Sequence, residues 1–92
     1  GTQSAVELSI QNGGGKDMQN LSIVLKEASA TGSDVNCTLG DDTTLTNGEQ
    51  DSLTCNGNFS SGKLNTVVDI SFVDAQSGLK HPKQGKLILK IP

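Results

Sequence analysis

Apolar residues recur at every second position in short runs, and the runs are separated by glycine, asparagine and proline. Val6, Leu8 and Ile10 alternate with Glu7, Ser9 and Gln11. Leu21, Ile23 and Leu25 repeat the form after Asn12-Gly13-Gly14-Gly15. A period of two gives a strand one buried and one wet face. Strands are therefore expected over residues 5–11 and 20–26, joined as a hairpin by a glycine segment that supplies positive-φ turn positions. A helix over residues 17–30 competes, because Met18, Leu21, Val24, Leu25 and Ala28 also fit a 3.6 period. The β-branched Ile23-Val24 pair and the nearby glycines favour the strand.

Further runs follow. Val35, Cys37 and Leu39 alternate, residues 40–44 form a loop, Asn47-Gly48 is a turn signal, and Leu53 and Cys55 alternate in the next strand. Residues 56–62 read as a polar loop anchored by Phe59. In residues 63–73, Leu64, Thr66, Val68, Ile70 and Phe72 share one phase. Residues 74–78 make a turn. Residues 79–85 are irregular, since Pro82 lacks a backbone donor and belongs at an edge or a bend. The last strand, residues 86–91, turns Leu87, Leu89 and Ile91 inward and Lys86, Ile88 and Lys90 outward. Six or seven short strands without a secure helix predict an all-β fold, an antiparallel two-sheet sandwich of immunoglobulin-like size. The immunoglobulin Cys, Trp and Cys signature is absent, and a small barrel is the alternative.

Length sharpens this picture. Ninety-two residues hold one domain near the lower limit for building a core. We take residues 5–92 as that domain and residues 1–4 as a linker or remnant of a preceding segment. The core is aliphatic, since the chain has two Phe and neither Trp nor Tyr. Cys37 and Cys55 fall in phase with apolar neighbours, so both point inward. A disulfide between them, made outside the cytosol, is the expectation, and two buried thiols are the alternative.

Candidate chemistry is sparse. The single His81, beside Pro82 in a lysine-rich stretch, lacks the partners of a catalytic base and reads as a surface residue. Asp41-Asp42 read as a solvated loop, because neighbours on an extended chain point apart and the spaced ladder of a calcium loop is missing. The glycine triplet lacks the Lys-Ser/Thr that follows in a phosphate cradle. The chain is thus read as non-enzymatic, with no metal and no cofactor. Nucleic acid is disfavoured by the absence of Arg, the scarcity of aromatics and a net charge of -3.

Charge is nevertheless unevenly placed. Lys80, Lys83, Lys86 and Lys90 stand without an acid from residue 79 onward, while earlier residues carry three lysines against ten acids. The lysines either guard an edge strand against unwanted pairing or meet the acidic Asp41-Asp42 loop of another copy. Three sequons place candidate glycosylation acceptors at Asn20, Asn36 and Asn58, where composition alone gives roughly one to two. Asn58, in its polar loop, is the preferred one.

The stretch LSIQNGGGKDMQNLSIVL resembles the opening strand pair of archaeal surface sandwich domains. The stretch VVDISFVDAQSGLKHPKQGKLILKIP is similar to the C-terminal end of archaeal type IV pilin-like proteins made with class III signal peptides, in which a hydrophobic strand, a Ser-Gly-Leu turn, a His and a Gly lead into a final strand. The cysteine pair between the two blocks suits that family. The resemblance implies a head domain that follows an N-terminal hydrophobic helix, with the helices packed into a filament core. It implies an extracellular structural subunit of a pilus-like or archaellum-like filament, serving adhesion or motility. Its partners would be copies of itself or related pilin subunits, and host or surface ligands. It would meet a membrane only through that helix. A binding module of a larger surface protein is the alternative reading.

Overall fold

The computed structural model describes residues 2–39 and 43–92, with backbone alone at Thr2. Six strands account for most of them: β1 Thr2–Gln11, β2 Met18–Lys26, β3 Val35–Leu39, β4 Gln50–Ser60, β5 Gly62–Asp74 and β6 Lys80–Ile91. All neighbours are antiparallel, in the order β1-β4-β3-β2-β5-β6. Hydrogen bonding runs unbroken from edge to edge, so the strands form one curled sheet where the sequence anticipated two. The Cα extents are 44 × 19 × 18 Å. The long axis follows from strand length, since thirteen residues at about 3.3 Å each span roughly 40 Å.

Alternation decides which face is buried. Leu21, Ile23 and Leu25 of β2, Val35, Cys37 and Leu39 of β3, and Leu53, Cys55 and Phe59 of β4 all point into the curl. Leu89 and Ile91 of β6 and Phe72 of β5 complete the core, and Val6, Leu8 and Ile10 of β1 pack against it half-buried. Phe59, Leu25 and Leu45 lose all solvent contact. Gly57 takes the inward position between Cys55 and Phe59, where a Cβ would come within 3.1 Å of Val35 Cγ2. The missing side chain makes room for that valine.

Several expectations change. β1 and β2 are not a hairpin: β1 pairs with β4, while β2 lies between β3 and β5. Residues 12–17 are a crossing, and Asn12 anchors it. Its buried amide donates to the carbonyls of Lys16 at 2.6 Å and Leu45 at 2.9 Å and accepts from Gly14 N at 3.0 Å. Met18 and Leu45 exchange backbone hydrogen bonds of 2.9 Å, so residues 43–49 close this end of the core with Leu45. The helix considered for residues 17–30 does not form there. β2 occupies residues 18–26 and bulges near Asn20, whose φ is 51°.

Residues 56–62, expected as a loop, belong largely to β4 and β5. The in-phase series Leu53, Cys55, Gly57 and Phe59 carries the strand through a polar sequence, because only the buried face needs apolar residues. β6 likewise begins at Lys80 and passes through Pro82, which the edge position tolerates. β1 extends back to Thr2, so residues 2–4 lie in the sheet.

Candidate functional site

Cys37 and Cys55 face each other in the β3–β4 ladder and are disulfide-bonded, with a Cα–Cα distance of 4.1 Å. The bond ties two adjacent strands at the centre of one half of the sheet. Such bonds persist in an oxidising compartment.

The lysines of β6 divide between the two faces. Lys80, Lys86 and Lys90 stand opposite Val73, Val67 and Lys63 of β5, all on the outer face. Lys83 stands opposite Ile70, on the inner face. Period two forces this split, since 80, 86 and 90 share a parity that 83 lacks. Folding adds two lysines that the linear reading had not grouped. Lys63 lies directly across from Lys90, and Lys26 of β2 is across Val67 from Lys86. Alternation within residues 63–73 marked Lys63 as outward, but only the register places it beside Lys90. Like charges directly opposed are unfavourable on a sheet. Ion pairs among the described residues join Lys26 to Asp34 at 2.8 Å and Lys16 to Asp74 at 3.2 Å, and neither uses a lysine of β6.

Val67 and Ile88 are exposed on the same outer face, Ile88 to 63%. A shallow hollow beside them is lined by Ser22, Val24, Asp69, Ser71, Pro82 and Gln84. One carboxylate oxygen of Asp69 is buried there without a hydrogen-bond partner among the described residues. The face therefore combines cationic ends with apolar patches, which suits an acidic protein surface. Asp41 and Asp42, the acids expected to meet these lysines, lie outside the described residues.

Lys83 sits at the mouth of the curl beside Ile10, Met18, Ile70 and Phe72. His81 stacks on Phe72 there, with ring centroids 5.5 Å apart. Nearby, Asp74 is buried. Its carboxyl is held below the ordinary carboxylate range, first by the backbone N–H of Gln76 and then by Lys16 and the N–H of Ser77. At the opposite end, the Asp34 carboxyl is lowered chiefly by its hydrogen bond from Lys26 and also by the Glu27 N–H. Lys26 is raised in return. Both carboxylates brace turns.

The three sequon asparagines are all exposed. Asn36 and Asn58 belong to β3 and β4, and Asn20 sits at the β2 bulge. Asn58 is therefore a strand residue, not the loop residue expected.

Compared with known protein families, curated proteins and solved structures, the chain matches none.

Proposed function

We propose that this domain is the head of a structural subunit in an extracellular type IV pilus-like or archaellum-like filament, working through its surfaces in adhesion or motility. The observation that carries the reading is the charge segregation: Lys63, Lys80, Lys86 and Lys90, without an ion pair among the described residues, on one outer face of an otherwise acidic, disulfide-stapled β rod. The C-terminal block that resembles archaeal type IV pilin-like proteins, and the N-terminal block that resembles archaeal surface sandwich domains, support it. On this reading the curled sheet is a two-layer, immunoglobulin-like head. Its layers are β1-β4-β3 and β2-β5-β6, and they meet at the β2–β3 corner. The exposed Asn20, Asn36 and Asn58 are available to glycosylation at the cell surface.

Gold-conjugated antibodies raised against residues 1–92 test the assignment on intact cells. Labelling along surface filaments is expected, and label confined to the cell envelope would overturn it. Assembly should also weaken with salt and with Lys86→Glu.

A second reading, a binding module of a larger surface protein, is favoured by the hollow around Asp69, where a buried carboxylate oxygen has no hydrogen-bond partner among the described residues. Ligand protection of that hollow from hydrogen exchange, with no filament label, would select it.

A further inference from the structure

The two edges of the sheet are built differently. β6 carries four lysines and Pro82 along its length, and these are features that deter strand addition. Self-pairing of β6 centred on Gly85 would set Lys80 against Lys90 of a second copy. β1 has none of these features. Over residues 5–11 it has neither lysine nor proline, and its one register irregularity lies earlier, between Gln3 and Ala5. One side of β1 is fully paired to β4, and its inward row of Val6, Leu8 and Ile10 is only half-buried.

The sequence of this edge is also self-complementary. In an antiparallel pair centred on Leu8, the inner row places Val6 against Ile10, Leu8 against Leu8 and Ile10 against Val6. The outer row places Glu7 against Ser9 and Ala5 against Gln11, so no like charges meet. Ser9 Oγ accepts a 2.8 Å hydrogen bond from Gln50 Nε2, leaving its proton for the carboxylate opposite. Centring on Glu7 would oppose two carboxylates, and centring on Ser9 would leave Val6 without a partner. Inner and outer rows keep their faces only when the paired positions share parity, which the Leu8 register satisfies.

We propose that the β1 edge docks a second copy of this chain, the two β1 strands pairing antiparallel about a two-fold axis through Leu8. The sheets then join across the axis, and their half-buried apolar rows become one stripe covered from both sides. This contact is separate from the lysine face and does not depend on the filament assignment.

Sedimentation equilibrium on the chain with its disulfide intact tests the proposal. A reversible dimer is expected. Ser9→Glu sets a carboxylate against Glu7 twice across the axis and should weaken it by about tenfold or more. Glu7→Lys combined with Ser9→Glu restores opposite charges and should return the affinity to within about threefold of the parent. Both positions are exposed on the outer face, and the double variant controls for any loss of folding. A monomer at every concentration up to about 1 mM overturns the proposal. A dimer indifferent to Ser9→Glu but weakened by Lys86→Glu also overturns it and moves the contact to the lysine face.

Discussion

The two halves of the sheet share an inner face and differ on the outer one. In the half made by β1, β4 and β3, the outer positions include Ala5, Glu7, Ser9, Gln11, Gln50, Ser52, Thr54, Asn56, Asn58, Asn36 and Thr38, nearly all uncharged. In the half made by β2, β5 and β6, the equivalent face carries Lys26, Lys63, Lys80, Lys86 and Lys90. The first half has a covalent staple and a fully buried Phe59. The second has long strands whose inner row ends at a mouth shared by Phe72, His81 and Lys83. Burial constrains the inner faces alike, because both must exclude water. The outer faces escape that constraint and can differ in charge without disturbing the core.

The largest test of the contrast compares the two phenylalanines. Phe59→Ala should cost about 3–5 kcal/mol in urea denaturation, and Phe72→Ala should fall at or below the low end of that range, since Phe72 lies at the open mouth. Equal losses would mean that the halves share one uniform core. Next, reducing Cys37–Cys55 should lower stability by about 3 kcal/mol, the loop-entropy value for the 18-residue separation. Hydrogen exchange should then rise first in β3 and β4, and a uniform rise would remove the distinction between a stapled and an unstapled half.

Asn12→Ala strands the Lys16 and Leu45 carbonyls and should cost about 1–3 kcal/mol by thermal unfolding. Lys90→Glu converts a like-charge pair with Lys63 into an opposite one and should stabilise the fold by about 0.2–1 kcal/mol while weakening filament assembly and leaving pairing through β1 unchanged. A loss of stability instead would show that these lysines are held by partners within the fold.

The last contrast is in pH. Asp74 and Asp34 have folded values below the ordinary carboxylate one, so their stabilisation is full above about pH 4 and is lost as pH falls through the lowered values. Lys26 is raised, so its contribution is present below its ordinary value and is lost as pH rises through the folded one. Denaturation midpoints against pH, with Asp74→Asn and Asp34→Asn, should show an acid limb that shrinks in each variant.

The alternation of Val35, Cys37 and Leu39, of Leu53 and Cys55, and of Leu87, Leu89 and Ile91 identified strands and their buried faces, and the structure keeps each of these assignments. The inward phase of both cysteines likewise allowed their bond. The same alternation failed where polarity masked it, as at residues 56–62, and where proline suggested a break, as at residues 79–85. The lysine site was half visible. Its members on β6 could be counted, but the outward group of Lys63, Lys80, Lys86 and Lys90 required the β5–β6 register.

By itself, then, the chain determined that strands form, which side of each is buried, and that one terminal segment is basic. Those properties follow from the local geometry of an extended backbone, in which side chains alternate whatever lies beside them. Only the tertiary structure decided that β1 joins β4 instead of β2, that one sheet runs from edge to edge, and that Lys63 and Lys26 come beside the outward lysines of β6. In-phase apolar strands are nearly interchangeable as partners, and the choice among them rests on long-range contacts: the Cys37–Cys55 pair, the Asn12 anchor and the seating of Leu45. Of these the cysteine bond was foreshadowed by its inward phase, whereas the Asn12 anchor and the seating of Leu45 cannot be read from neighbouring residues.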